Sequence, residues 1–478
     1  MMTGPTRRQL ASCLSAAPLL TTSALTPDAG SPLTAGSLMA DLTAVTAVSR
    51  RAKADGMLDY GRIPGSVYDA MVGAWLERRF SEVGLKQVMQ DPYDLPDPEW
   101  ILDAVTLSVV TTRGPVALPS AFTPDQSPVT PLAGLTAPVV DIGDGSAEAR
   151  AGRDLAGKIV LIHSRVEGIA YDHPVRTLTP ELERAGIAGL IIGIRQPGDP
   201  QTRYAVQPGP IRFRVTRTPW VVISGADAEM LAGIIRAAPD DAPVQATMKV
   251  QGRLTPPRRS QNIMGVVPGR GDEIVLVTAH TDSRWEGATD NASGLSVLLG
   301  LARHFANGAQ PERSLIFVAT GGHHNGPSSG QKRIIAAHPD LIARCALIVN
   351  LEHMGSREPD GLGGLQPEAG PNVMFVPNQN PDLLRLIEAG VAAHGVPVLR
   401  PVQTFWTADY YVHARLGTPA VMILQPTFWY HTEADTPDKI DPEGLAAMAR
   451  LHADLIAGAD QVSRADLKLG TPSLSYGT

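Results

Sequence analysis

The chain has 478 residues, of which 43% are hydrophobic and 19% charged, with a formal net charge of −7 and a pI near 6.0. That length exceeds one ordinary compact domain, and the apolar content excludes a disordered chain. The negative charge and the lack of a long basic run argue against a nucleic-acid partner or an anionic membrane surface.

In chain order, Thr6-Arg7-Arg8-Gln9-Leu10 and the apolar run from Leu10 to Leu25 read as a twin-arginine export signal, with cleavage after Thr22-Ser23-Ala24. Pro18 interrupts the run, which is too short to span a bilayer comfortably. Residues 1–30 are therefore expected to be a signal and linker. The mature protein is expected in the periplasm or outside the cell, with no stable membrane insertion. Cys13 and Cys345 are the only cysteines, so removal of the signal leaves no internal disulfide, and Cys345 is expected to be a buried apolar residue.

Helical spacing follows in Ser37 to Ala54 (Leu38, Leu42, Val45, Val48) and in Ser66 to Val83, with Ser66 as N-cap and Gly84 as stop. Residues 37–104 are assigned to N-terminal helices of the main domain. From 105 to 250 the texture changes to short strands with many Pro and Gly turns, including Ile159 to Ile162, Gly189 to Gly193 and Pro219 to Ile223. This stretch predicts a smaller β-rich accessory domain without a metal-ligand pattern. His163 and His173 are read there as structural residues.

Residues 258–460 alternate strands and helices, which predicts an α/β three-layer sandwich with a mixed central sheet, followed by a tail at 461–478. Strands are expected at Ile274 to Ala279, Leu315 to Ala319, Ala346 to Leu351, Val373 to Val376 and Ala420 to Leu424. Helices are expected at Ala292 to Phe305, Gly330 to Ala336, Leu383 to Ala393 and Pro442 to Ile456.

Four of these segments end in metal-type residues. The first runs into His280-Thr281-Asp282-Ser283, with Asp290 before the next helix. The second runs through Gly321-Gly322 into His323-His324. The third ends at Glu352, and the last leads to His431 in an aromatic loop. Ligands gather at the C-terminal ends of strands in open α/β sheets. A mix of imidazole and carboxylate suits zinc or another divalent transition metal. Asp282 is placed to orient His280 from behind. His353 points either into the cleft or away from it. Trp285, Phe405, Trp406, Trp429 and Tyr430 are candidates for a substrate wall. His304, His338, His394, His413 and His452 read as surface or packing residues. Ser283 and Ser293 lack the strand-elbow-helix glycine pattern of a serine hydrolase.

The motifs Arg62-Ile63-Pro64-Gly65-Ser66, Gly157-Lys158-Ile159-Val160-Leu161, His280-Thr281-Asp282-Ser283, Asp290-Asn291-Ala292-Ser293-Gly294 and Tyr430-His431-Thr432 resemble those of a metallopeptidase family. It includes secreted bacterial leucyl aminopeptidases, glutamate carboxypeptidase and glutaminyl cyclase, with an inserted protease-associated domain. The resemblance spans nearly all the mature chain. It implies two zinc ions, one on His280 and Glu352 and the other on His431, with Asp290 bridging. Asp409 matches a further position near the cleft, and Tyr430 lies beside His431. The family carries two adjacent glutamates, a general base and a ligand, where this chain has His323 and His324.

That departure sets the expected chemistry. Asp290 and Glu352 remain as certain anions and balance one divalent ion, so one or two ions are expected. A neutral His324 can ligate, and a neutral His323 can act as base near neutral pH. The expected activity is hydrolysis of an amide or peptide-like bond in a small or peptide-like substrate. The alternatives are an inactive peptidase-like binding protein, or a metalloenzyme of another reaction type (lyase, cyclase or glycan-acting). The sequence leaves the oligomeric state open.

Overall fold

A computed structural model describes residues 32–123, 126–167, 170–172, 174–195, 202–204, 217–239, 241–325, 328–399 and 409–470. Residues 1–30, where an export signal was expected, and His173, Phe405 and Trp406 lie outside the described residues. In chain order the strands are β1 (Lys86–Asp94), β2 (Trp100–Thr111), β3 (Gly114–Ala117), β4 (Leu135–Asp141), β5 (Ile159–Glu167), β6 (Ala170–Asp172), β7 (Gly189–Arg195), β8 (Trp220–Ser224) and β9 (Gln245–Leu254). There follow β10 (Arg259–Val267), β11 (Ile274–His280), β12 (Ser314–Thr320), β13 (Cys345–Leu351), β14 (Arg357–Pro359), β15 (Leu365–Pro367), β16 (Val373–Phe375) and β17 (Ala420–Leu424). They build two mixed sheets and a small β14–β15 ribbon.

The sheet that carries the candidate site has the order β1-β10-β12-β11-β13-β17-β16. Its centre, β12-β11-β13-β17, is parallel, and antiparallel strands close both ends. Side chains alternate across a strand, so each strand feeds two cores. Val275, Val277, Phe317 and Val349 pack with Leu38, Leu76, Phe80, Leu298 and Leu451 on one face. Those partners come from helices Ala35–Ala54, Val67–Glu82, Gly294–Ala306 and Pro442–Ala459. Ile274, Leu276, Ile316 and Ile348 pack with Ile334, Leu341 and Tyr410 on the other. This is the expected three-layer sandwich. Burying side chains of this size stabilises by ~1.5–3 kcal/mol each, and parallel sheets require such cover on both faces.

Two strands of this sheet escape the sequence reading. β10 begins Arg259-Ser260-Gln261-Asn262, a polar start that hides a strand, yet Ser260 and Asn262 are buried. Asn262 repays that burial by bonding Gly321 N and Gly330 O at 3.2 and 3.0 Å, on either side of the His323-His324 loop. β1 pairs with β10 across the sequence that forms the second sheet, a contact no local pattern announces.

The second sheet runs β3-β2-β9-β4-β5-β7-β8, with β6 beside β5. It is mixed, and helices Pro174–Arg184 and Gly225–Ala237 accompany it, so this unit is α/β in character as well as strand-rich. Trp285 belongs to its core. The ring is fully buried, 5.0 Å from Phe122, and does not line the cleft as expected from its place beside a site motif. Cys345 is buried and free, and His413 and His452 are packing residues. Among the described residues no helix is long and apolar enough to cross a membrane.

Candidate metal centre

The parallel core of the first sheet places the ends of β11, β12, β13 and β17 along one edge. His280 is the last residue of β11. His323 and His324 follow β12 after Gly322, whose φ of 64° only glycine adopts without strain and whose added Cβ would lie 2.9 Å from the Tyr93 hydroxyl. Glu352 and His353 follow β13, and His431 stands on the loop after β17. Asp290 lies in the irregular turn Ala288–Ser293 before helix Gly294–Ala306; its peptide bond to Asn291 is cis.

The structure brings His280, Asp290, His324, Glu352 and His431 together. Asp290 divides its carboxylate between two groups. Its Oδ1 lies 3.2 Å from His280 Nε2, and its Oδ2 lies 3.2 Å from His431 Nε2 and 3.6 Å from His324 Nε2. Glu352 Oε1 is 3.7 Å from His280 Nε2, while Asn350 donates to its other oxygen at 2.8 Å. Donor atoms of Asp290, His324 and His431 lie within 4.8 Å of one another, as do those of His280, His323 and Glu352.

Orientation is fixed from behind. His280 Nδ1 contacts the Asp282 carbonyl oxygen at 3.0 Å, so it carries the proton and Nε2 keeps its lone pair. The Asp282 carboxylate itself serves the other loop. It accepts from the backbone N–H groups of His323 and His324 at 2.9 and 2.8 Å, and from His324 Nδ1 at 2.9 Å. The expectation that this carboxylate orients His280 is corrected in part: its oxygen is 3.9 Å from His280 Nδ1, and its main partner is His324. His323 Nδ1 is 2.6 Å from Asp409 Oδ1, and Asp409 also accepts from Thr320 Oγ1 at 3.0 Å. The His323 ring stacks on His280 at 4.2 Å. Tyr430 stacks on His431 at 3.8 Å, whereas Trp429 is buried and donates to the Arg357 carbonyl.

A divalent cation fits this donor set. His280 Nε2 and Asp290 Oδ1 are buried without a hydrogen-bond partner although 3.2 Å apart, so they face a common point rather than each other. His324 Nε2 and His431 Nε2 stand 3.3 Å apart, and two lone pairs at that distance require a proton or a cation between them.

The charges follow the same logic. Burial opposes ionisation of Asp282 and Asp290, but the surrounding histidines outweigh it and hold both well below the usual carboxylate range. Burial pushes the His431 pKa down to about 4. Burial would also lower His323, yet Asp409 raises it to about 10 and is itself held near 2. In the protein alone the charged form of His323 is therefore favoured; the neutral form was expected beside a bound cation, which would act in the opposite sense.

Two supporting residues were not singled out from the sequence. Arg62 is fully buried and donates to the carbonyls of Thr281, Glu286 and Gly287 at 2.7, 2.7 and 3.3 Å. Asp435 accepts from the backbone N–H groups of Thr289 and Asp290 at 2.8 and 3.1 Å, and burial raises its pKa to about 6. Its place in the Arg62-Ile63-Pro64-Gly65-Ser66 motif was the available signal for Arg62. For Asp435 the available signal was its place four residues after His431.

A helix-covered mixed sheet with histidines and carboxylates converging at the C-terminal edge of its parallel strands is a metallohydrolase-type α/β architecture. A model of Peptidase family M28 matches residues 262–456. This places the chain among metallopeptidase-like hydrolases. The chain is 23% identical to Carboxypeptidase Q of Bos taurus over 338 residues, 68% of this chain and 67% of that protein. Its fold is similar to that of a zinc aminopeptidase from Bacillus subtilis, at 21% identity and a TM-score of 0.65, covering 91% of this chain and 98% of that one. A Peptidase M28 precursor from Shewanella amazonensis gives 20% identity and a TM-score of 0.66, covering 90% and 96%.

Proposed function

We propose that this chain is an exported metal-dependent hydrolase of an amide or peptide-like bond, with histidines where its relatives are expected to carry two glutamates. The division of the Asp290 carboxylate between two histidine-containing groups carries the reading. His280, Asp290 and Glu352 would hold one divalent ion, with zinc the first candidate, and Asp290, His324 and His431 would hold a second. Such ions, when bound, supply Lewis acidity toward a carbonyl and make a bound water more acidic. The protein's own part is proton handling. Asp409 fixes the Nδ1–H of His323 and leaves Nε2 as the atom that gains or gives a proton. Asp282 holds the His323-His324 backbone and the His324 tautomer, so both rings keep their places as charge shifts. Tyr430 covers His431 at the substrate side.

The second sheet serves as an inserted accessory unit of the protease-associated type, and residues 1–30 as a twin-arginine signal for export. One observation favours a second reading: Asp409 Oδ1 lies 2.6 Å from His323 Nδ1 and favours the charged ring, which would suit a general acid and hence a metalloenzyme of another reaction type. Zinc-loaded and chelated protein should be assayed on aminoacyl amides and dipeptides, beside cyclic and glycan substrates. Zinc-dependent release of amine supports the hydrolase. Turnover confined to the other substrates supports the second reading, and none on any substrate overturns both.

A further inference from the structure

The residue after Glu352 remains unexplained by the site as described. His353 is 4% exposed, and neither ring nitrogen has a hydrogen-bond partner. A buried imidazole left in that state loses the solvation of two polar atoms. Its backbone adds a further cost, because φ is 46°, in the left-handed region that L side chains rarely adopt. Surrounding contacts fix that conformation: His353 N donates to Asn291 Oδ1 at 3.4 Å, and Gln425 N donates to the His353 carbonyl at 2.8 Å. His431 shares this trait, with φ at 53°. Two histidines of the cluster are thus delivered by backbone geometry that a packing role does not need.

The ring goes where a ligand would go. His353 Nε2 is 3.5 Å from Asp290 Oδ1 and 3.9 Å from Glu352 Oε1. His280 Nε2 stands 3.2 and 3.7 Å from the same two oxygens. Ligands about 2.0–2.2 Å from one ion in tetrahedral array are separated by about 3.3–3.6 Å from each other, which all four distances approach. His280 Nε2, His353 Nε2 and Asp290 Oδ1 also share the property of being buried without a hydrogen bond.

From this geometry we infer that His353 is a metal ligand, completing a four-donor group of His280, His353, Asp290 Oδ1 and Glu352. This rests on the metal-dependent reading above. Two carboxylates and two neutral imidazoles balance one divalent ion, and the nitrogen content favours zinc, cobalt, nickel or copper over magnesium or calcium. The first group is then closed by protein donors. The second, with Asp290 Oδ2, His324 and His431, keeps the open position that exchange with water or substrate requires.

Cobalt(II) tests this without reference to activity. In the cobalt-loaded full chain, each ligating histidine contributes one hyperfine-shifted exchangeable ring N–H proton resonance. With two equivalents the inference predicts four, from His280, His324, His353 and His431. His353→Asn, chosen because asparagine tolerates a left-handed backbone, is predicted to remove one of them and to weaken cobalt binding by about tenfold or more. Three resonances in the wild type, or an unchanged set and affinity in His353→Asn, overturn the role of His353 alone. A wild-type chain that takes up no cobalt overturns the metal reading beneath it. Should the variant fail to fold, the wild-type count decides between four and three.

Discussion

In the proposed mechanism His323 decides what the centre does with a proton. Its Nδ1 is 2.6 Å from Asp409 across 86 residues of sequence, and that partner sets which nitrogen is available for chemistry. Replacing His323 by Ala removes the proton carrier but none of the residues proposed to hold the ions. The expected result is a fall in kcat of about 10²–10⁴-fold at unchanged metal content, measured by steady-state assay beside elemental analysis. Unchanged turnover would remove His323 from the mechanism. At this scale the sequence is informative where a residue ends an apolar strand, as His280 and Glu352 do. It is silent where function depends on distant pairing. Neither Asp409 holding His323 nor the Asp282 carboxylate holding His324 follows from local spacing. His353 stayed ambiguous because the strand alternation that orients Leu351 has ended before it, at a residue with positive φ.

The turn that delivers Asp290 is held from two sides, by Arg62 on the carbonyls of Glu286 and Gly287 and by Asp435 on the N–H groups of Thr289 and Asp290. Arg62→Met should remove a donor from the buried carbonyls of Thr281, Glu286 and Gly287, of which Gly287 keeps Ala292 N, and remove a guanidinium facing Asp282, Asp290 and Asp435. The expected loss is roughly 3–5 kcal/mol in urea unfolding, with weaker metal binding. Helix Val67–Glu82 offers a pH test. Ser66 accepts from Asp69 N at 3.2 Å, and the Asp69 carboxyl reaches back to Gly65 N at 2.9 Å. Burial raises the Asp69 pKa to about 7. A raised folded-state pKa means its contribution is fully present below about pH 4 and is lost as pH rises through 7. Wild-type protein should therefore lose up to about 4 kcal/mol more than Asp69→Asn between those limits, read as the difference between their unfolding curves. Helix existence was legible from caps and spacing. β1 and β10 were not, because β10 places polar residues inward to serve the histidine loop and β1 has no local partner.

The two sheets meet at the site rather than apart from it. Trp285 leaves the metal motif to enter the core of the second sheet. Tyr204 forms a bridge with Thr432, and the Arg203 carbonyl accepts from Glu433 N at 3.0 Å, one and two residues beyond His431. Binding that engages only the folded state stabilises by about 2.7 kcal/mol at 100 times Kd. Because the second sheet is attached to the His431 loop, metal removal should lower the melting temperature of the whole chain in one transition, followed by calorimetry with and without chelator. Loss confined to a separate low-temperature transition would contradict that coupling. The most direct test of the central claim is elemental analysis of purified full-length protein after zinc incubation and desalting. The account predicts one to two zinc ions per chain, falling when Asp290 is replaced by Ala. No retained divalent ion, or retention indifferent to Asp290→Ala, would contradict it.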